Sequence, residues 1–234
     1  MSYSVPSLAG QFELRQRTVL QRVYAWMAGG LTVTGLIALW AASSEFFMDL
    51  LYRTPGILIG LIVAEFVVVI ALSWGINRMS AGMAIGAFML YAALNGLTMS
   101  LIFLVYTAES IGATFLITAG MFAGISLYGY TTKRDLSSMG SFLFMALIGV
   151  LLASIANFFL KSSALYWVIT FAAILVFVGL TAYDTQKIKR MSASLDGRSD
   201  QTMMQRVVIM GALTLYLDFI NLFLYLLRIF GKRR

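Results

Sequence analysis

The stretch VVIMGALTLYLDFINLFLYLL, residues 207–227, decides the fold class of this 234-residue chain. As a helix it is long enough to cross a hydrocarbon core about 30 Å thick. Comparable apolar runs recur, and they predict seven spans, at residues 23–43, 56–76, 82–105, 111–130, 140–160, 164–186 and 205–228. Backbone polar groups in lipid must be satisfied within their own segment, so these spans are helices. The sequence therefore predicts an all-α membrane protein, a bundle of seven transmembrane helices.

The composition agrees with this class. The chain is 60% hydrophobic and 12% charged, with a mean hydropathy of +0.87, whereas about a quarter of the residues of a soluble domain are charged. We expect an N-terminal cytoplasmic segment at 1–22, a single seven-helix transmembrane domain at 23–230 and a basic tail at 231–234. The connection at 44–55 is short, and 187–204 is predicted as the only long loop. The first 21 residues lack the pattern of a cleavable signal peptide, so the first span is expected to act as the insertion signal.

The basic residues predict the orientation. With the N-terminus in the cytoplasm, eleven of them lie on the inner side: Arg15, Arg17, Arg22, Arg78, Lys133, Arg134, Lys187, Lys189, Arg190, Arg198 and Arg206. Only Arg53 and Lys161 lie outside, apart from the terminal group Arg228, Lys232, Arg233 and Arg234. This bias follows the positive-inside rule and places the C-terminus on the periplasmic side. A six-span arrangement with a re-entrant last segment would instead bring the basic tail inside.

Acidic residues inside the spans are the main indication of function. Asp218 lies within the last apolar run, with no basic residue near it, and Asp184 closes the preceding run. A charge at the middle of a membrane helix costs about 2.5–3.5 kcal/mol on insertion scales, so such groups usually face a cavity or a partner. Glu65, near the centre of the second span, is a candidate third acid of the same cavity, or it stays protonated and bonds a neighbouring helix. The two aspartates predict a proton or cation site.

Other polar residues follow helical faces. Thr214, Asp218, Asn221 and Tyr225 form one stripe on the last span, and Tyr91, Asn95 and Thr98 form a second stripe on the third. Hydrogen bonding between helices is the simpler interpretation for Tyr91 and Asn95. For Asp218 a functional role is favoured, since a buried charge costs more than a buried amide.

Two further features have structural interpretations. Arg78, at the inner end of the second span, is interpreted as an interfacial topology anchor, with a role as counter-ion to Asp184 as the alternative. Small residues four apart permit close helix approach, and we interpret three such pairs as packing sites. They are Gly56 with Gly60, Gly82 with Gly86, and Gly120 with Gly124.

Several function classes are excluded by what the sequence lacks. It contains no cysteine and no histidine, so disulfides, thiol chemistry and imidazole ligands are absent, and pH sensing near neutrality falls to carboxylates. No phosphate-binding loop, nucleophile elbow or His-Glu-x-x-His helix occurs. We therefore expect no enzyme activity and no cofactor. The net charge of +7 is explained by topology and anionic lipid, so no nucleic-acid partner is expected.

Three motifs carry a resemblance to a known family. They are GLTAYDTQ at residues 179–186, GALTLYLDFINLFL at 211–224 and YGYTTKRDL at 128–136. They resemble signature segments of the Bax inhibitor family, the transmembrane BAX-inhibitor-motif family, and the third is similar to its bacterial inner-membrane members. The resemblance covers about residues 20–234. It implies a bacterial inner-membrane location, a bundle whose C-terminal helix is central, and a pH-sensitive calcium leak. Asp184 and Asp218 match its paired-aspartate sensor, and Arg78 matches the arginine that engages the pair.

Physical reasoning supplies a mechanism for such a site. Two carboxyls within hydrogen-bond reach cannot both ionise cheaply, so the pair shares a proton and titrates in two steps. Loss of that proton adds repulsion, which Arg78 or an incoming cation offsets, and the last two helices then shift. Calcium suits the site because hard cations prefer oxygen ligands, and two carboxylates bind it weakly, as a leak requires. On this reading Asp184 and Asp218 are weak calcium ligands.

Two other functions use the same sequence features. One is a proton-coupled cation exchanger, and the other is a non-transporting modulator of membrane protein quality control or stress response. The latter would have a membrane protease or another membrane protein as its partner. One feature opposes the pairing: with the predicted spans, Asp184 lies at the inner edge and Asp218 roughly 10 Å away in depth, at 1.5 Å per residue.

Overall fold

The computed structural model describes residues 8–193 and 201–234, without the side chains of residues 8–13 and 15. Within those residues the chain forms nine helices and no strand. They are α1 (Leu8–Ser43), α2 (Glu45–Arg53), α3 (Gly56–Gly75), α4 (Ala81–Met99), α5 (Ile102–Val105), α6 (Ala108–Thr131), α7 (Ser137–Leu160), α8 (Ser163–Ala193) and α9 (Gln201–Phe230).

Seven segments of the described chain are long and apolar enough to cross a membrane. They cover residues 16–43, 56–75, 81–105, 108–131, 137–160, 163–193 and 201–230. Each contains the core of one predicted span, so the predicted all-α seven-helix class is confirmed. The last helix is also the most buried, with 67% of its apolar window buried against 6–39% for the other six. A helix surrounded by others has this property, as expected for the central position.

The connections differ from the prediction because apolarity marks the part of a helix in lipid and not its ends. α1 already begins at Leu8, within the segment predicted as a separate N-terminal region. The stretch 44–55 contains the amphipathic helix α2. α8 continues to Ala193 and α9 begins at Gln201, so the predicted 187–204 loop is wrong at both ends. Residues 1–7 and Arg198, used in the topology prediction, lie outside the described residues.

The third predicted span is interrupted. α4 ends at Met99 and the short α5 begins at Ile102. The backbone N–H of Ser100 donates to the Gly96 carbonyl at 3.1 Å, and that of Phe103 donates to the Ser100 carbonyl at 3.1 Å. The second of these bonds spans three residues, as in the tighter turns of a 3₁₀-helix, and it marks the local departure from the α-helix.

The Cα packing divides the chain into two compact units. Unit 1 consists of residues 1–104 and 188–216, and unit 2 of residues 105–187 and 217–234. In unit 1, α1 and α4 approach closely, since a Cβ at Gly96 would lie 2.7 Å from the Thr34 carbonyl oxygen. The Tyr216 ring of α9 packs edge-on against Phe88 and Tyr91, with centroids 5.7 and 5.8 Å apart. An aromatic core therefore holds this unit together.

Unit 2 is built from α6, α7, most of α8 and the second half of α9. Phe219 of α9 packs edge-on against Phe115 and Phe122 of α6, with centroids 5.3 and 5.4 Å apart. The C-terminal tail is fixed in this unit, because the Lys232 carbonyl accepts from the Thr107 N–H at 2.9 Å. The Arg234 N–H donates to the Val105 carbonyl at 3.0 Å. The predicted basic tail is thus paired with the connection that precedes α6.

The glycine pairs interpreted as packing sites do not pack. A Cβ added at any of the six would meet no atom within 4 Å: Gly56, Gly60, Gly82, Gly86, Gly120 and Gly124. The interpretation is therefore wrong for the contacts within this chain. Close approach occurs instead at glycines outside those pairs, among them Gly96, Gly129 and Gly140. Spacing alone does not reveal which face of a helix is turned toward a neighbour.

Candidate functional site

The two predicted membrane carboxyls lie in the same compact unit. Asp184 of α8 is 7% exposed and Asp218 of α9 is 4% exposed, and both belong to unit 2. The other two predicted site residues belong to unit 1. Glu65 lies on α3, and Arg78 lies in the turn after α3, where its N–H donates to the Gly75 carbonyl at 2.9 Å.

Polar side chains fix α8 on the C-terminal side of Asp184. The Thr185 hydroxyl donates to the Ser126 hydroxyl of α6 at 3.5 Å. Gln186 bridges to the connection between α6 and α7. Its Oε1 accepts from the Leu136 N–H at 2.9 Å, and its Nε2 donates to the Arg134 carbonyl at 2.8 Å. Since both functions of the buried amide are satisfied, Gln186 holds the α6–α7 connection against α8.

Two glycines fix α8 on the N-terminal side of Asp184. A Cβ at Gly129 of α6 would run into the Ala182 carbonyl oxygen and would lie 3.0 Å from the Ala182 Cα. A Cβ at Gly140 of α7 would lie 2.5–2.7 Å from atoms of the Tyr183 ring. Side chains at these two positions would therefore displace α8 beside Asp184.

Asp218 lies in an apolar part of α9, followed by the Phe219 ring that packs on α6. Its Oδ2 is buried and has no hydrogen-bond partner. Within the described part of the chain, this is true of only one other buried side-chain oxygen or nitrogen, Oδ1 of Asn95. A buried acceptor without a donor is costly, and such groups in native structures call for an explanation in terms of strain, function or an unseen water or ion.

The rest of the polar stripe on α9 is satisfied without Asp218. The Thr214 hydroxyl donates to the Met210 carbonyl at 3.0 Å, and the Asn221 amide donates to the Leu217 carbonyl at 2.8 Å. The Tyr225 ring stacks on Phe177, with centroids 6.0 Å apart. Of the four predicted residues, only the carboxyl therefore retains an unused buried acceptor.

The carboxyls of Asp184 and Asp218 interact electrostatically across α8 and α9. The depth mismatch expected from the sequence is removed by the register of the two helices. A Cβ at Gly211 would lie 3.2 Å from two side-chain carbons of Ile188, so residue 211 faces residue 188. Counting back along the antiparallel pair, Asp184 faces residue 215, about three residues or 4.5 Å in depth from Asp218. Whether the two carboxyls come within hydrogen-bond reach stays a prediction.

Lys187 is the basic residue whose charge interacts with Asp184. It lies one turn further along α8, and its Nζ is 5.9 Å from the centre of the Tyr183 ring. Arg78, the predicted partner, is exposed and belongs to unit 1. Its engagement with the aspartates stays a prediction, and the nearer lysine was not considered from the sequence as a counter-charge.

Glu65 bonds a neighbouring helix. The Thr98 hydroxyl of α4 donates to its Oε1 at 2.7 Å, and the side chain of Asn95 also interacts with its carboxyl. This supports the second of the two interpretations offered for Glu65 and the interhelical role predicted for the polar stripe of the third span. It gives Glu65 a structural role within unit 1.

The donor set limits the affinity of any metal site. Among the described residues, no group of three or more His, Cys, Asp or Glu side chains could hold a metal ion. Calcium takes six to eight oxygen ligands in its tight sites, so a carboxylate pair by itself supports weak and transient binding only.

The sequence analysis missed Gln186, Gly129 and Gly140, which position α8 around Asp184. Gln186 and Gly129 lie inside the motifs at 179–186 and 128–136, and the density of polar residues there was the available signal. No sequence pattern distinguished Gly140 from the glycines that face open space.

The comparisons with known proteins agree with the motifs. The family described as "Inhibitor of apoptosis-promoting Bax1" matches residues 16–234. The chain is 58% identical over 218 residues to the inner membrane protein YbhL of Escherichia coli K12, covering 93% of each chain. It is 44% identical over 223 residues to protein RP147 of Rickettsia prowazekii, covering 95% of this chain and 93% of the relative. A protein of Borreliella burgdorferi is 42% identical over 215 residues, 92% of each chain.

The match extends over nearly the whole chain and includes all three motifs. Together with the seven apolar helices, it shows that the chain belongs to the Bax inhibitor family and is a multi-pass protein of the bacterial inner membrane.

Proposed function

We propose that the protein is a pH-sensitive cation leak of the inner membrane, gated by Asp184 and Asp218, with calcium as the ion. One observation carries the proposal: two buried carboxyls interact within one unit, and an oxygen of one of them has no protein partner. Ionisable groups inside membrane segments usually mark ion or proton pathways.

Shared protonation supplies the gate. Two nearby carboxyls hold one proton between them more easily than none, so the site changes charge when that proton leaves. The added repulsion is offset by Lys187, by Arg78 or by an entering cation. Ala182, Tyr183, Thr185 and Gln186 each fix α8. We therefore assign the resulting shift to α9, and this shift opens or closes the path.

Calcium is the favoured ion because carboxylate oxygens are hard ligands. Weak binding is an advantage in a leak, since the ion must leave the site as readily as it enters. Protons are the second species that the pair handles, and they act here as the regulator.

Flux measurements test the proposal. The purified protein is placed in liposomes that contain a calcium indicator, and uptake is followed between about pH 5 and 8, where the unshifted groups of the chain do not titrate. We expect a pH-dependent flux in the wild type and a flattened profile in Asp184→Asn and Asp218→Asn, because asparagine keeps the volume and removes the titration.

Glu65→Gln is the matched control, as it removes the third membrane carboxyl. A pH profile that survives both aspartate variants and collapses in the Glu65 variant would assign the sensor to the wrong acid. Lys187→Gln and Arg78→Gln then separate the two counter-charges, since removing the group that offsets the repulsion shifts the profile.

The same liposomes discriminate the other two functions. A proton-coupled exchanger moves a fixed number of protons out for each calcium ion that enters, which an internal pH indicator records. A non-transporting modulator shows no flux above that of empty liposomes and tolerates Asp218→Asn without loss of function.

A further inference from the structure

α2 is a short amphipathic helix whose charged residues share one face. Glu45, Asp49 and Arg53 follow each other at intervals of four, and Arg53 pairs with Asp49 at 2.7 Å. Phe46 and Tyr52, at the margins of the apolar face, are 78% and 87% exposed. None of its nine residues is buried, so packing within the chain does not explain this apolar surface.

The neighbouring spans place α2 at a membrane surface. α1 ends at Ser43, one residue before α2, and α3 begins at Gly56, after Thr54 and Pro55. Since both neighbours are spans, a helix joined to them this closely lies at the boundary between hydrocarbon and water. An amphipathic helix at that boundary buries its apolar face in the layer of lipid headgroups, and aromatic side chains favour the same depth.

An apolar cavity lies beneath α2, within unit 1. It has a volume of about 490 Å³ and is lined by Met48, Leu51 and Tyr52 of α2, Leu58 of α3, and Leu101 and Leu104 of the interrupted third span. Leu101 lies in the break between α4 and α5, so the interruption contributes to the cavity wall. A volume of this size suits a ligand, and the lining requires an apolar one.

The cavity is continuous with the lipid-facing surface of the second span. α3 buries only Leu72, while Ile59 and Val63 are 64% and 54% exposed. Leu58, which lines the cavity, is adjacent to Ile59 at the start of the same helix. A lipid chain that covers α3 therefore has direct access to the space beneath α2.

We propose that this cavity binds one acyl chain of a bilayer phospholipid with a zwitterionic headgroup, and that α2 lies in the headgroup layer above it. The charges of α2 decide the headgroup. Glu45, Asp49 and Arg53 carry a net charge of −1, which disfavours an anionic headgroup. Asp49, which also lines the cavity, and Arg53 present both signs to the ammonium and phosphate of a zwitterionic one.

Photocrosslinking in lipid nanodiscs tests the site with the full-length protein. The probe is a phosphatidylethanolamine with a diazirine in its acyl chain, and crosslinked peptides are quantified by mass spectrometry. We expect crosslinks to concentrate on residues 48–58 and 101–104. The reference is α7, where Phe142 and Phe158 are 65% and 76% exposed to bulk lipid. Equal crosslinking per exposed residue in the two regions would overturn the site.

Leu101→Trp fills the cavity, and Leu116→Trp adds the same ring to a 72% exposed position of α6 as the control. Crosslinking at 48–58 should fall about tenfold in Leu101→Trp alone, since overfilling a packed site costs enough free energy for an effect of that order. Unchanged crosslinking there refutes the site. If Leu101→Trp fails to fold, Leu58→Phe and the wild-type map decide.

The headgroup assignment has its own outcome. The same diazirine chain on phosphatidylglycerol should crosslink the cavity less than the phosphatidylethanolamine probe does. Equal or stronger crosslinking by the anionic probe refutes the role given to Asp49 and Arg53.

Discussion

Replacing Gly129 by alanine should destabilise the fold around Asp184, although alanine is the better helix former. The added Cβ would run into the Ala182 carbonyl oxygen and lie 3.0 Å from the Ala182 carbonyl carbon and Cα, all of which are backbone atoms of α8. Carbon atoms in contact prefer separations of about 3.5–4.0 Å, so α8 must move by about half an ångström or more. Forced movement of this kind in a packed core costs about 1–3 kcal/mol.

Gly124→Ala is the control on the same helix. A Cβ at Gly124 meets no atom within 4 Å, so only the gain in helix propensity remains, which is at most about 1 kcal/mol. Both variants gain it, and the difference between them isolates the steric cost at α8. We expect Gly129→Ala to be less stable than Gly124→Ala by about 1–3 kcal/mol.

Thermal unfolding in detergent micelles measures this difference. Each kcal/mol corresponds to about 2–4 °C in chains of 150–250 residues. The flux assay supplies a second readout, because Ala182 lies two residues before Asp184 and its displacement should shift the pH profile. Equal stability and equal pH profiles in the two variants would refute the close packing of α6 against the aspartate segment.

Three further predictions address other parts of the molecule. Gln186→Leu should cost about 1–3 kcal/mol, measured as unfolding in micelles, because it leaves the buried Leu136 N–H and the Arg134 carbonyl without partners; an unchanged stability would contradict that bridge. Thr98→Val, which keeps the volume and removes the bond to Glu65, should cost about 0.6–2 kcal/mol in the same measurement, with the α6 variant Thr131→Val, at an exposed position, as its control. A reporter fused after Arg234 should show periplasmic activity, since eleven inner basic residues against two predict a cytoplasmic N-terminus for seven spans; cytoplasmic activity would favour the re-entrant arrangement.

The sequence was sufficient for the number of spans because the hydrocarbon thickness imposes a length that composition reveals directly. It was insufficient for helix ends, since neither the lipid nor the apolar pattern ends where a helix does. α8 runs on through Lys187, Lys189 and Arg190, which are polar but good helix formers. This extension also sets the α8–α9 register, and the expected depth mismatch between the aspartates followed from its omission.

The site was predictable in its carboxyls and unpredictable in their supports. Asp184 and Asp218 are conspicuous because a charge in an apolar run is costly. Lys187 was counted only as a topology charge, although it is one helical turn from Asp184. Gly129 and Gly140 depend on which helices approach each other, and that is a property of tertiary packing.

The arrangement around Asp184 explains why its motif is continuous in the sequence. A helix with one side in lipid alternates at intervals of three and four residues, because only one face needs to be specified. Residues 182–186 advance by about 100° each, so five of them cover the whole circumference of α8. Ala182 meets α6, Tyr183 meets α7, Asp184 faces α9, Thr185 bonds α6, and Gln186 bonds the α6–α7 connection. Four of the five are buried, and Tyr183 is half-buried. Asp184 therefore lies on a turn whose neighbours are fixed all round, and this is the rigid support that a carboxylate gate requires if protonation is to move its partner helix.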